Sequence, residues 1–201
     1  MSLNIQMNDK EINQTIVENV LKLLERRKLL KSWEDEYNKL KSVLTSQTIF
    51  EVILEDKTKC GIYIINARLS SIVSGTPLAN YLSNNLNVHK IIIIRDVLKK
   101  VVKQIIHEYK NAEFFFESEM LEDLPSKDFI PHHEIICDEE KTELLNKYSE
   151  KELSKILNTD IMCRYYGGKL GDIFKITRPS FTAGYSIFYR KVAPGSLDLL
   201  F

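Results

Sequence analysis

Two adjacent histidines, His132 and His133, are of a residue type that binds metal ions in many proteins. They lie in a segment predicted to be extended, where neighbouring side chains point to opposite sides. They therefore do not converge on one ion, as a pair four residues apart on a helix would. We predict no metal site here and no bound cofactor.

The glycine-rich stretch 167–171 (GGKLG) has the composition of a phosphate-binding loop. Such a loop needs a strand before it, a Lys-Ser or Lys-Thr ending and a helix after it. Here a predicted strand follows, beginning near Asp172. The glycines are therefore predicted to form a turn.

Ser180 and Thr182 carry hydroxyl groups, but no histidine lies near them in sequence and no nucleophile-elbow glycines surround them. They belong to the stretch 178–184 (RPSFTAG), in which proline fixes a dihedral, glycine permits a positive φ, and Ser and Thr cap backbone groups. This composition predicts a rigid corner between two strands. Arg178 and Arg190 beside it can bind carboxylates of a partner in a bidentate manner.

Three carboxylates, Glu51, Glu55 and Asp56, lie on or beside a predicted strand, and paired carboxylates can hold the magnesium ion of a nuclease. The following strand ends in 66–68 (NAR), where the acidic-x-Lys ending of such a site would be expected. A solvent-facing edge and a turn are the preferred interpretation. A nuclease-like hydrolytic enzyme built on the N-terminal α/β domain stays open as the alternative.

The elements that position these residues begin with helices in the N-terminal part. Apolar residues at helical spacing predict a helix over 11–24, capped by Asn8 or Asp9. A second helix is predicted from Trp33, capped by Ser32. A short third helix is predicted after the cap-and-proline pair 76–77.

Four segments rich in Ile, Val, Phe and Tyr predict strands in the same part of the chain. The first two are joined by a polar turn and predict a hairpin. Four consecutive isoleucines in the third predict a strand covered on both faces. A helix capped by Asp96, with Val97 on its inner face, is predicted to join the third and fourth strands by a right-handed crossover. The fold class is α/β, with a mixed sheet of about four strands. The segments are 49–55, 60–66, 88–95 and 112–117.

The chain becomes acidic from Ser118 to Ser126 and contains Pro125, which predicts a domain boundary. We predict one domain over 1–124 and a small α+β module over 125–201. The module is predicted to contain an extended segment, two helices, a glycine turn and two strands. It is rich in aromatic residues, and aromatic and arginine enrichment marks the centres of protein interfaces.

Lys and Arg number 28 and Asp and Glu 28, so the formal net charge is zero and indiscriminate binding to nucleic acid or acidic membranes is not favoured. The cysteines, Cys60, Cys137 and Cys163, show no zinc-site spacing and are interpreted as buried free thiols in a reducing compartment. No apolar run fits a signal peptide or a membrane span. We expect an intracellular, soluble protein.

The ordered motifs IPHHE, EEKTELLNKY, RYYGGKLGD, KITRPSFTAG and YR occupy about the last third of the chain. In this order they resemble the C-terminal module of the fifth-largest subunit of eukaryotic RNA polymerases. In archaeal RNA polymerases the same module stands alone as a small separate subunit. The N-terminal part resembles the jaw domain of that family in its order of helices and strands.

The resemblance implies a two-domain, non-catalytic subunit of a multisubunit DNA-dependent RNA polymerase. Its module (125–201) would dock on the largest subunit and contact other polymerase subunits. Its jaw (1–124) would help to form the downstream DNA channel, with weak contacts to duplex DNA and none to a membrane. The DNA-proximal candidates, at a predicted strand-to-helix turn, are Arg95, Lys99 and Lys100, acting on phosphates. The partner-binding candidates are His132, Arg178, Pro179, Ser180, Thr182, Gly184 and Arg190.

The chain departs from the family pattern at Ile161, Leu170 and Phe181, and by its tail, 193–201. These departures indicate a divergent member, and a viral source is one alternative. The location would be the nucleus for a cellular protein, and the host cytoplasm or virion for a large DNA virus. A transcription-factor-like protein that borrows the module to dock transiently is a further alternative.

Overall fold

The computed structural model describes residues 8–44, 47–84, 88–180 and 182–201. The chain divides between Glu122 and Asp123 into two compact units, which are described separately. No helix in the described ranges is both long and apolar enough to cross a membrane.

A sheet of four strands forms the centre of the N-terminal unit. The strands are β1 (Ile49–Ile53), β2 (Lys59–Leu69), β3 (His89–Val97) and β4 (Ala112–Phe116). Their order is β1-β2-β3-β4, with β1 antiparallel to β2 and the other two pairs parallel. The predicted hairpin and the mixed sheet are both confirmed. The central run of β3, from Ile91 to Ile94, is fully buried, as its four isoleucines predict.

Helices surround this sheet, and the predicted caps of the first three are confirmed. They are α1 (Asp9–Arg26), α2 (Trp33–Leu40), α3 (Pro77–Ser83), α4 (Lys99–Glu108) and the short α5 (Glu117–Met120). Asn8, Ser32 and Thr76 each accept a backbone N–H in the first turn of their helix.

The buried face of α1 carries one polar side chain that joins distant parts of the unit. Asn19 is 5% exposed and donates from Nδ2 to the main-chain carbonyl of Met120 at 2.9 Å. A buried amide of this kind has to find a partner, because its desolvation would otherwise cost about 1–3 kcal/mol. Asn19 therefore fixes α1 against α5.

The predicted cap at Asp96 is wrong. Asp96 and Val97 belong to β3, where they pair with Arg68 and Leu69 of β2 after an irregularity in the ladder. The strand continues because Val97 is buried and Arg68 lies 3.2 Å from Asp96 in an ion pair. The helix α4 begins one residue after Leu98, which supplies no side-chain cap. The predicted strand-to-helix turn therefore lies beyond Arg95, Asp96 and Val97.

The C-terminal unit contains a second four-stranded sheet, of order β5-β7-β8-β6. Its strands are β5 (His132–Ile135), β6 (Ser154–Leu157), β7 (Ile173–Ser180) and β8 (Gly184–Ala193). β7 is antiparallel to both β5 and β8, whereas β6 runs parallel to β8. This α+β architecture is the predicted one, except that β6 was not predicted.

Two helices, α6 (Asp138–Lys147) and α7 (Ile161–Tyr165), pack with residues from opposite sides of this sheet. Ile173 of β7 packs with Leu144 of α6, whereas its neighbour Phe174 packs with Cys163 of α7. Alternation along β7 separates the two cores. The predicted glycine turn after α7 is confirmed, with positive φ at Gly167 and Gly171.

One of the thiols predicted to be buried is exposed. Cys60 and Cys163 are buried, whereas Cys137 is exposed at the N-cap of α6. A cap residue lies outside the first helical turn, and the buried residue of this helix, Leu144, comes two turns later. Cys60 and Cys163 lie on the buried faces of β2 and α7, whereas Cys137 lies on no buried face of α6.

The tail beyond β8 is anchored at Asn158. The N–H of Asn158 donates to the carbonyl of Ala193 at 2.9 Å, and its side-chain Oδ1 accepts the N–H of Gly195 at 2.8 Å. A 3-10 turn follows at Leu197–Leu200, where Leu199 is 66% exposed.

Candidate functional site

The predicted corner is the end of a hairpin between β7 and β8. Arg178, Pro179 and Ser180 are strand residues paired with Ser186, Tyr185 and Gly184. The chain reverses between Ser180 and Gly184, where Gly184 has a φ of 72°, a value that favours glycine. Phe181 lies outside the described residues.

Pro179 fits β7 because of the register of the neighbouring strand. β5 pairs with β7 only as far as the couple His132 and Thr177. Beyond Thr177 the outer edge of β7 has no partner strand among the described residues, so a residue without an N–H is tolerated there. The candidates at this end of the hairpin therefore project beyond the part of the sheet that β5 covers.

One face of the hairpin carries two arginines and an aromatic ring, of which only Arg178 lies beyond the part that β5 covers. The guanidinium carbon of Arg178 lies 4.9 Å from the centroid of Phe188, a cation–π contact. Arg190 pairs with Phe174 and so lies on the same face of the sheet. Phe188 pairs with Ile176 on this face. Ile176 is buried, whereas Phe188 is 46% exposed.

Ser180 and Gly184 pair on the face of Arg178, whereas the opposite face carries two other candidates, His132 and Pro179. His132 pairs with Thr177, which pairs with Ile187, and Pro179 pairs with Tyr185. Tyr185 is 64% exposed and Ile187 is 42% exposed. The sequence-predicted partner-binding residues in strands are thus divided between the two faces of the sheet, and Arg190 lies farther from the turn than the others, beside β6.

Tyr185 and Ile187 are not among the site residues predicted from the sequence. The alternation of strand residues could have placed them together on one face, but not their exposure. Exposure follows from the place where α6 stops covering β8, and that depends on the tertiary packing. Exposed aromatic and aliphatic side chains on one face, with arginines on the other, give the hairpin residue types that protein interfaces use.

His133 has a structural role that differs from that of its neighbour His132. Its ring is buried, its Nδ1 lies 2.7 Å from the carbonyl of Pro131, and its plane stacks near Tyr166. Burial lowers the pKa of His133, which favours the neutral ring. His132 is exposed, so the two histidines point to opposite sides as predicted.

Arg95 is held by two carboxylates in the N-terminal unit. Its Nε donates to both carboxylate oxygens of Glu117, at 3.0 and 2.9 Å, and its Nη2 donates to Asp9 at 2.7 Å. The hydrogen bond to Asp9 is the largest cause of the raised pKa of Arg95, and the contacts with Glu117 add to it. Lys99 and Lys100 lie separately, in the first turn of α4.

Two of the three carboxylates considered for a nuclease site have other contacts. Glu51 accepts a hydrogen bond from the Lys59 ammonium at 2.8 Å, with both side chains more than half exposed. Asp56 accepts the N–H and the hydroxyl of Thr58 in the hairpin turn, at 2.9 and 2.6 Å. In the ranges that the structure describes, no group of three His, Cys, Asp or Glu residues is arranged to hold a metal ion.

Comparison with known proteins identifies the family. Residues 123–192 match the family described as RNA polymerase Rpb5, C-terminal domain. A longer match is to DNA-directed RNA polymerases I, II, and III subunit rpabc1 of Dictyostelium discoideum, which is 30% identical over 190 residues, covering 90% of this chain and 94% of that protein. The chain belongs to the Rpb5 family.

Other Rpb5-family relatives come from a virus and from archaea. DNA-directed RNA polymerase subunit 5 of Acanthamoeba polyphaga mimivirus is 27% identical over 146 residues, covering 72% of this chain and 70% of that protein. Subunit Rpo5 of Archaeoglobus fulgidus is 46% identical over 65 residues, covering 31% of this chain and 86% of that protein. The predicted resemblance is confirmed, and this Rpb5-family chain is a non-catalytic subunit of a DNA-directed RNA polymerase.

Proposed function

We propose that the C-terminal unit docks this subunit on the largest subunit of a multisubunit RNA polymerase, and that the N-terminal unit acts as a jaw beside the downstream DNA. The observation that carries this proposal is the match to an RNA polymerase subunit over 90% of the chain. In functional terms the jaw comprises 1–124 and the assembly module 125–201.

The projecting hairpin supplies the docking surface. It combines exposed aromatic and aliphatic side chains with arginines. Aromatic residues and arginine are enriched among the residues that contribute most of the binding free energy of interfaces. Arg178 and Arg190 offer planar guanidinium groups for carboxylates or main-chain carbonyls of the partner. Pro179 fixes its own φ and so restricts the hairpin, which reduces the entropy lost on docking, while Gly184 permits the positive φ of the turn.

Contacts to the downstream duplex would be made through phosphates and would be weak. Lys99 and Lys100 are the residues we assign to this role, because they lie in the first turn of α4. Arg95 is a poorer candidate than the sequence predicted, since Asp9 and Glu117 already neutralise its charge. A neutral chain overall fits a subunit that lies beside DNA without binding it alone.

The compartment follows from the polymerase that the subunit serves. A cellular polymerase would place it in the nucleus, and the polymerase of a large DNA virus in the host cytoplasm or the virion. The relatives from Dictyostelium discoideum and from mimivirus are compatible with either source.

The proposal is tested by tagging the chain in its native system, purifying it through high salt and identifying stoichiometric partners by mass spectrometry. We expect two very large polymerase subunits in equal amount, because a permanent apolar interface survives salt that removes transient electrostatic contacts. Loss of the partners in salt would instead indicate a transient, transcription-factor-like docking. Recovery of the chain alone, together with metal-dependent cleavage of plasmid DNA, would establish the nuclease alternative.

A further inference from the structure

The outer edge of β8 is only partly covered by β6. β6 pairs with residues 190–193 of β8, whereas β7 pairs along residues 184–191 on the other side. Residues 184–189 therefore have β7 on one edge and, among the described residues, no strand on the other. A row of backbone N–H and C=O groups on such an edge can pair with another chain.

Hydrogen bonds at the end of β8 identify the residues that face this open edge. Val192 donates its N–H to Asp172 and accepts the N–H of Gly171, so its backbone groups face β7. The carbonyl of Ala193 instead accepts the N–H of Asn158, beyond β6. Backbone groups alternate between the two edges along a strand.

Counting back in steps of two from Ala193, the N–H and C=O groups of Ile187 and Tyr185 point to the open edge. The pairing of Tyr185 with Pro179 agrees with this assignment, because proline could not donate a hydrogen bond back to β8. Tyr185 and Ile187 are also the exposed side chains of this strand segment on its second face. Unpaired backbone and exposed apolar side chains thus coincide at the same two residues.

Charge distinguishes between the segments that could pair there. Within the described residues, Arg178 and Arg190 on the other face have no carboxylate at salt-bridge distance. Residues 184–190 (GYSIFYR) contain no acidic residue. A second copy of this edge would therefore bring another arginine and no carboxylate to pair with it. A segment that alternates apolar and acidic side chains would satisfy both faces.

We propose that an extended segment of a partner polymerase subunit, apolar on one side and acidic on the other, adds to the open edge of β8 as a short strand in line with β6. This inference rests on the proposed function and specifies how the C-terminal unit docks. Main-chain hydrogen bonds to Tyr185 and Ile187 would fix the register, and Phe188 with the two arginines would select the side chains.

Amide hydrogen exchange, resolved to single residues, tests the pairing in the free chain and in the purified polymerase. In the free chain the Tyr185 and Ile187 amides should exchange fast, while Ser186 and Phe188 are protected by β7. In the polymerase the first two should slow by at least about tenfold, the equivalent of one net hydrogen bond. Unchanged exchange in an assembled polymerase would overturn strand addition but not subunit membership, whereas failure to assemble would overturn the proposed function.

A second measurement removes one donor at a time. The natural Cys163 allows residues 1–162 to be ligated to a synthetic segment 163–201 in which a single amide is replaced by an ester. An ester at Ile187 should weaken incorporation into the polymerase about tenfold, in competition with the unmodified chain, and lower the free energy of unfolding only slightly, because it weakens the Ser186 carbonyl as an acceptor but removes no donor that faces β7. The matched ester at Phe188 should lower stability, because that N–H faces β7. Equal incorporation of the Ile187 ester and the unmodified chain, or slow exchange of Tyr185 and Ile187 in a free homodimer, would refute the proposal.

Discussion

Arg27 donates from both terminal nitrogens to the two carboxylate oxygens of Glu113, at 2.9 and 2.7 Å. This bidentate pair joins the end of α1 to β4, and His89 of β3 lies 3.2 Å from the same carboxylate. Burial opposes ionisation of Glu113, but the contacts with His89 and Arg27 outweigh it and lower its pKa from 4.5 to about 2.

Glu113→Gln should destabilise the N-terminal unit by about 2 kcal/mol at pH 7, since it removes the carboxylate charge that Arg27 and His89 contact. Because the folded-state pKa lies below the unfolded value, the pair stabilises fully above about pH 4.5 and loses its effect as pH falls towards 2. Urea unfolding at several pH values should show the gap between variant and wild type closing in acid. Glu51→Gln, at an exposed pair, is the control and should change stability by less than about 1 kcal/mol. A gap independent of pH would contradict the assignment.

Gly168→Ala should destabilise the C-terminal unit by about 2 kcal/mol through overpacking. An added Cβ would lie 2.7 Å from a ring carbon of Phe174 and 2.8 Å from the Cys163 sulfur, both in the core. Thermal unfolding measures the cost. In a Phe174→Leu background the ring is gone, so the further cost of Gly168→Ala should fall, and strictly additive costs would rule out this contact as the reason.

The double variant Arg178→Glu with Arg190→Glu should stay folded and enter the polymerase at least about tenfold less well, because it reverses the charge on the docking face. Quantitative mass spectrometry of the tagged, salt-washed polymerase measures incorporation. Lys147→Glu with Lys151→Glu makes the same charge change at exposed positions of this unit away from the hairpin, and should incorporate normally. Equal yields for both double variants would remove the hairpin from the interface.

Lys99→Ala with Lys100→Ala should lower crosslinking of this subunit to downstream DNA without reducing its incorporation. Each lost phosphate contact also reduces the dependence of crosslinking on salt. The matched control is Lys103→Ala with Lys110→Ala, two exposed lysines on and just after α4. If both double variants crosslink to downstream DNA equally well, Lys99 and Lys100 have no special role in contacting it.

One thiol should react much faster than the other two with a disulfide reagent in the native chain. Cys137 is exposed, whereas burial raises the pKa values of Cys60 and Cys163 to about 12 and removes their thiolate forms at neutral pH. We expect one equivalent in the fast phase and three after denaturation. Cys137→Ser should abolish the fast phase, and a fast phase that survives this substitution would contradict the burial of the other two.

Several local features of the fold follow from the sequence because their causes are local. A cap such as Asn8 needs only the three residues that follow it, and a strand covered on both faces is marked by its own run of isoleucines. The strand β6 was not predicted because its four residues include one buried side chain, Ile156, and little periodicity. It forms because β8 offers an edge some 35 residues later in the chain.

The sequence by itself determined the family and most of the helices and strands in both units. It also predicted which part of the chain carries the candidate interface. Ordered motifs and local periodicity survive in a linear chain, so they can be recognised there. Only the tertiary structure decided that Arg95 is paired, because Asp9 and Glu117 lie 86 and 22 residues away from it. It alone also divided the hairpin residues between two faces and left the edge of β8 open, since both depend on strand register and on the length of the neighbouring strand.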